Sequence, residues 1–86
     1  MDKFNDIATK EDRAFHSKIR KALNRTLGPF QGNKKYTQLI SVANVAFRTA
    51  YDECICEIKR NNYARKAANL IFTREIKRLG VKLDES

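Results

Sequence analysis

Apolar residues recur at spacings of three and four through most of the chain, and the longest such run, from Lys35 to Arg60, predicts a helix that is apolar on two sides. Tyr36, Ile40, Ala43, Phe47, Ala50, Cys54 and Ile58 form one stripe along it, and Leu39, Val42 and Ala46 form a second beside it. Its β-branched residues (Ile40, Val42, Val45, Ile55, Ile58) invite a strand reading, but apolar and polar positions do not alternate and the run is too long for a strand. A helix apolar on two sides needs cover on both.

The flanking segments supply that cover. Thr9 followed by Asp12 has the shape of a capping box, and Glu11 and Asp12 suit the positive end of a helix dipole, so a helix is expected from about Lys10 to Leu27. Phe15, Ile19, Ala22, Leu23 and Leu27 mark its buried side, and Gly28-Pro29 ends it. The Gly- and Pro-containing segment from Gly28 to Tyr36 reads as a loop that carries Phe30 beside Lys34 and Lys35. There Phe30 either stacks on a base or folds back as a hydrophobic staple for the central helix. After a polar turn at Lys59-Arg60-Asn61-Asn62, a further helix is expected from about Asn62 to Leu79. Its buried side comprises Ala64, Ala68, Ile71, Phe72 and Leu79, with Ala67 and Leu70 adjacent, and Gly80 with Val81 suits a Schellman ending.

The expected fold is therefore all-α: a three-helix bundle with a long central helix (about 35–60) covered by two basic amphipathic helices (about 10–27 and 62–79). The 86 residues form a single helical domain with a short arm (1–8), from which Phe4 and Ile7 can dock, and a tail (81–86). A chain of this size buries only about 60–65% of its unfolded surface. Pairing of two copies through the second apolar stripe, a homodimer, would relieve the thin core.

Charge sharpens the picture. The net charge is +8, yet residues 13 to 82 carry 16 bases against four acids (Asp52, Glu53, Glu57, Glu75), because the other acids sit near the two ends. On the first helix Arg13, Arg20, Lys21 and Arg25 project with Lys10, Ser17 and Asn24, and no acid follows Asp12 until Asp52. On the last helix Asn62, Lys66, Asn69, Thr73 and Lys77 line up, flanked by Arg65, Arg74 and Arg78. A merely solvated helix face mixes signs, since opposite charges one turn apart are stabilising. Faces of one sign attract polyanions.

Other classes find less support. His16 sits at the edge of an apolar stripe, Gly28, Gly32 and Gly80 fit no nucleotide-binding pattern, and no nucleophile–base pair can be assembled, so no enzyme and no cofactor is expected. A cation site from Glu53, Glu57 and His16 is less favoured than local pairing of Arg48 with Asp52 and Glu57 with Arg60. Cys54 and Cys56, two apart on a helix, would point to nearly opposite sides, neither bridging nor sharing a metal, and read as buried reduced thiols. The opening MDKFNDIATKEDR has acids and no apolar run, and no 18-residue apolar stretch is present. A cytoplasmic, nucleoid or nuclear protein without a membrane span is expected.

The reading that best unites these features is a small accessory or regulatory protein that binds RNA or DNA mainly through phosphates. Arg13, Arg20, Lys21, Arg25, Lys34, Lys35, Lys66, Asn69, Arg74, Lys77 and Arg78 are the candidate contacts. No helix-turn-helix signature is present, which argues against operator reading. The alternative is an inhibitor or adaptor, for example a phage-type antagonist of a host or toxin nuclease, that sets its basic faces against an acidic or ribonucleoprotein partner.

Overall fold

A computed structural model describes residues 7 to 83; Phe4 and the acids of the extreme tail, Asp84 and Glu85, lie outside the described residues. Residues 10 to 79 form a three-helix bundle: α1 spans Lys10–Leu27, α2 Pro29–Glu53 and α3 Glu57–Leu79. Helix α2 packs along both neighbours, whereas α1 and α3 touch each other sparingly.

Helix α1 begins as its sequence dictates. The Thr9 hydroxyl accepts from the Asp12 backbone N–H at 3.1 Å, and the Asp12 carboxylate accepts from the Thr9 N–H at 3.0 Å. This reciprocal box satisfies two of the helix's free donors. The predicted loop after it, however, is one residue long. Gly28, at φ +90° and ψ 157°, turns the chain alone, and Pro29 follows at the first helical position, where its missing N–H and fixed φ do no harm. The run from Phe30 to Lys35 is therefore helical, and Phe30 is 77% exposed on the first turn of α2, neither on a mobile loop nor folded back as a staple.

Gly32 explains why this helical start can lie so close to α1. A Cβ at Gly32 would fall 2.6 Å from Asn24 Cα and 2.7 Å from Asn24 N, inside contact distance of backbone that cannot swing away. Glycine lets the two helices meet directly after their one-residue turn.

The central helix ends at Glu53, seven residues short of the expected limit, and Cys54-Ile55-Cys56 forms an extended break. Lys59-Arg60-Asn61-Asn62 is accordingly the first part of α3 and not a turn. Asp52 and Glu53 oppose the negative end of α2, while Glu57 favours the positive start of α3, so the dipoles place the break between them. Arg60 fastens it, donating from Nε and Nη2 to the Cys54 carbonyl at 3.3 and 3.2 Å, with its guanidinium 5.0 Å from the Tyr51 ring centroid. Arg60 thus does not serve the expected pair with Glu57. The two thiols are free, Cys54 half-buried and Cys56 exposed, which corrects their reading as buried helix residues; Ile55 and Ile58 are exposed as well.

The core runs along α2. Leu39, Ala43, Phe47 and Ala50 meet Ile19, Ala22 and Leu23 of α1 and Ala64, Ala68, Phe72 and Ile76 of α3. The alanines of α3 permit its close approach to α2. At the far end Gly80 adopts the left-handed conformation, its N–H reaching Lys77 O at 3.2 Å and the Val81 N–H reaching Ile76 O at 3.1 Å, which buries Val81. This is the expected Schellman ending.

Alanine is favoured over glycine inside a helix by about 0.5–1 kcal/mol, so on propensity alone Gly32→Ala would stabilise. The contact with Asn24 reverses that sign: the substitution should lower the unfolding free energy in urea by about 1–3 kcal/mol, whereas Gln31→Ala next to it should change little.

Candidate nucleic-acid interface

The face of α3 expected to dock a ligand divides into two parts. Arg65 turns inward to the buried Asp12 carboxylate, with Nε 2.6 Å from Oδ2 and Nη2 3.1 Å from Oδ1, and also donates to Thr9 Oγ1 at 3.2 Å and Asn62 Oδ1 at 2.7 Å. Asn69 donates its amide to Asp12 Oδ1 at 2.9 Å, and its Oδ1 lies 2.8 Å from His16 Nε2. An ionised Asp12 can only accept, so the Asn69 amide nitrogen faces it and the Asn69 oxygen faces His16, whose Nε2 must then carry a proton. Thr73 Oγ1 donates to the Asn69 carbonyl at 3.2 Å within the helix.

The polar residues that would have read base edges are thus engaged by the protein itself. Arg65 and Asn69 hold α3 to α1, Asn62 accepts from Arg65 within α3, and Asn69 in particular, a candidate contact by its spacing, is a half-buried structural residue. Lys66, Arg74 and Lys77 remain exposed cations on α3. Arg78 is exposed too, but pairs with Glu75, which also holds Lys35 of α2 at 3.4 Å.

On α1, Arg13, Arg20, Lys21 and Arg25 are all exposed. Arg20 donates from Nε to Asn33 Oδ1 at 3.2 Å, and Arg25 from Nη2 to the Lys82 carbonyl at 3.0 Å, so both are steadied by neighbouring segments. Lys34 is exposed on the second turn of α2. Among the described acids, Asp12 is buried and Glu75 is paired, Glu11 lies at the start of α1, and Asp52, Glu53 and Glu57 gather around the α2–α3 break. The outward charge along both helices is consequently positive, with the exposed acids largely at one end.

Sequence spacing alone missed Tyr36, which it placed in the core stripe. Its ring does pack on Phe72, 6.1 Å between centroids, but it also lines a surface cleft with Arg13, His16, Ser17, Arg20 and Ile40. No periodicity could have announced this, because the cleft is made by two helices meeting. Burial pushes the Tyr36 hydroxyl above its ordinary value while the nearby Arg20 charge pulls it down. No group of three His, Cys, Asp or Glu side chains is placed to hold a metal among the described residues, nor is any described helix long and apolar enough to cross a membrane.

Burial by itself would raise the Asp12 carboxyl, but hydrogen bonds from Arg65, the Thr9 N–H and Asn69, with the Arg65 charge, outweigh it and hold Asp12 well below the usual carboxylate range. Because the folded value is depressed, this contribution to stability is complete above the unfolded carboxyl's titration near about 4 and is lost as pH falls below it. Asp12→Asn should cost on the order of 2 kcal/mol at pH 7 by leaving Arg65 without its partner, and it should flatten the loss of stability between pH 5 and about 2; urea midpoints across that range check both effects.

No protein-family model matches the sequence, and no curated protein or solved structure matches the chain.

Proposed function

We propose that the protein is a small accessory or regulatory factor that binds RNA or DNA through the phosphate backbone, with exposed cations of α1 and α3 as its contacts. The observation that carries this reading is the sorting of charge. Arg13, Arg20, Lys21, Arg25, Lys66, Arg74 and Lys77 are exposed along two helices, while Asp12 is buried against Arg65 and Glu75 pairs with Lys35 and Arg78. Such surfaces create an attractive field for polyanions and exchange their counterions on binding. The internal engagement of Asn62, Asn69 and Thr73 favours contact with phosphates over reading of base edges.

A second reading, docking of a partner protein, rests on a different observation. Lys35 pairs with Glu75 and Tyr51 meets Arg60, so α2 and α3 run antiparallel in a register that sets Val42 about level with Ala68. Val42 and Val45 of α2 and Tyr63 and Leu70 of α3 are each at least 44% exposed. Exposed apolar side chains on two helices that also carry the exposed bases Lys34, Lys66 and Arg74 would suit an acidic amphipathic helix of a partner, its apolar side on the valines and its acids against the bases.

Fluorescence-anisotropy titration against duplex DNA, duplex RNA and single-stranded RNA of equal length, at several salt concentrations, tests the first reading. The logarithm of affinity should fall linearly with the logarithm of salt concentration, and neutralising Lys66 and Lys77 together by glutamine should reduce that slope by about two. Unchanged affinity in that variant would remove the α3 face from the interface. Weak binding with a shallow slope for every polymer would favour the partner-protein reading, in which Val45→Glu abolishes docking of the acidic helix; on the nucleic-acid reading the same variant binds normally.

A further inference from the structure

Three clefts on the bundle differ in chemistry. One, of about 320 Å³ between α1 and α3, is lined by Phe15, Ile19, Ile76, Val81 and Leu83, with Lys77 and Thr73 as its polar members. A second, of about 380 Å³, is lined by Leu27, Gln31, Lys34, Lys35 and Gln38, and there Lys35 is already paired with Glu75. The third, of about 360 Å³ between α1 and α2, brings together Arg13, Ser17 and Arg20 with Tyr36, above His16 and Ile40. It alone of the three combines guanidinium groups with hydroxyls.

We propose that the cleft bordered by Arg13, Ser17, Arg20 and Tyr36 is a phosphate subsite, which receives a phosphate of a bound nucleic-acid strand. The proposal deepens the nucleic-acid reading and rests on it for the identity of the ligand. Arg13, Ser17 and Arg20 lie at spacings of four and three on one side of α1, so the two guanidinium groups are two turns apart with a hydroxyl midway. Arginine presents five donors in a planar fork matched to phosphate oxygens, and Arg20, held through Nε by Asn33 Oδ1 at 3.2 Å, keeps four of them on its two Nη atoms. Tyr36 adds a hydroxyl from the opposing helix, on a ring fixed against Phe72. Two cationic forks and two neutral hydroxyls from two rigid helices can enclose an anion, where lysines on one convex face can only attract it.

A phosphate in the cleft is either a strand's terminal monoester or an internal diester, and both share the chemistry named here. Pairs of oligonucleotides with and without a 5′-phosphate separate them: a terminal site prefers the phosphorylated strand, and an internal site does not distinguish the pair. The decisive variants carry no change in charge. Tyr36→Phe keeps the ring and Ser17→Ala keeps the helix, so neither should alter the circular-dichroism spectrum, and each should weaken strand binding about five-fold through loss of one hydrogen bond. Thr73→Ala on α3 serves as the control and should not weaken binding. Full affinity in both the Tyr36 and Ser17 variants would overturn the subsite while leaving the wider nucleic-acid reading intact. If the wild-type protein binds no strand, the wider reading falls, and titration with inorganic phosphate followed by ¹⁵N NMR decides the cleft on its own. Saturable shifts confined to residues 13, 16, 17, 20, 36 and 40 support it; no shifts, or shifts spread equally over Lys66, Arg74 and Lys77, overturn it.

Discussion

The buried carboxylate of Asp12 fixes how the two basic helices face one another. Helix α1 rests mainly on α2 and meets α3 only along a short seam, so apolar contact alone leaves the relation of α1 to α3 weakly defined. Asp12 closes that seam at one end by accepting from Thr9, Arg65 and Asn69 together. An ionised group so nearly removed from water is tolerable only when its oxygens are filled in this way. The same residue caps α1, draws in Arg65, and through Asn69 settles the orientation of His16. One carboxylate thereby couples helix initiation to tertiary packing.

Glu75 works similarly from the other side of the bundle. It holds Lys35 of α2 while pairing with Arg78 one turn along α3. Both acids therefore join helices, Asp12 linking α1 to α3 and Glu75 linking α3 to α2, and each offsets the charge of the bases it engages. What remains outside is mostly positive, and an excess of like charge on α1 and α3 opposes compaction of the free bundle. A polyanion that binds the folded state relieves that repulsion and stabilises the fold by mass action. On the proposed reading, an anionic ligand would therefore raise the stability of the bundle.

The sequence disclosed a good deal of this fold. The Thr9–Asp12 box, the limits of α1, the Schellman ending at Gly80 and most of the buried residues follow from local chemistry and period, and the structure agrees with them. Two boundaries escaped. Gly28, Pro29 and Gly32 look like a loop, yet Gly28 and Pro29 act together as the end of one helix and the start of the next, and Gly32 serves close packing against Asn24. The break at Cys54-Ile55-Cys56 contains no Gly or Pro, so its only local signal is the placing of Asp52, Glu53 and Glu57 against helix dipoles, a contribution of a few tenths to one kcal/mol that periodicity overrode. The candidate site was legible as charge but not as geometry. Spacing identified the outward bases, yet it could not show that Arg65 and Asn69 turn inward, because their partners Asp12 and His16 lie more than 50 residues away.

The two basic surfaces are chemically unequal, and this bears on how a strand would be held. On α3 the unpaired cations include Lys66 and Lys77, point charges on flexible stems that attract a phosphate from many directions and define its place poorly. On α1 the cations bordering the cleft are Arg13 and Arg20, planar forks whose hydrogen bonds require a set orientation, with Arg20 already steadied by Asn33. On the proposed nucleic-acid reading, long-range capture would belong to both faces and register to the arginine side. The Asp12–Arg65 link between the faces would then convert capture on one into alignment on the other, since a phosphate anchored at α1 would limit where the strand can meet α3. A looser seam would keep the attraction and lose the alignment.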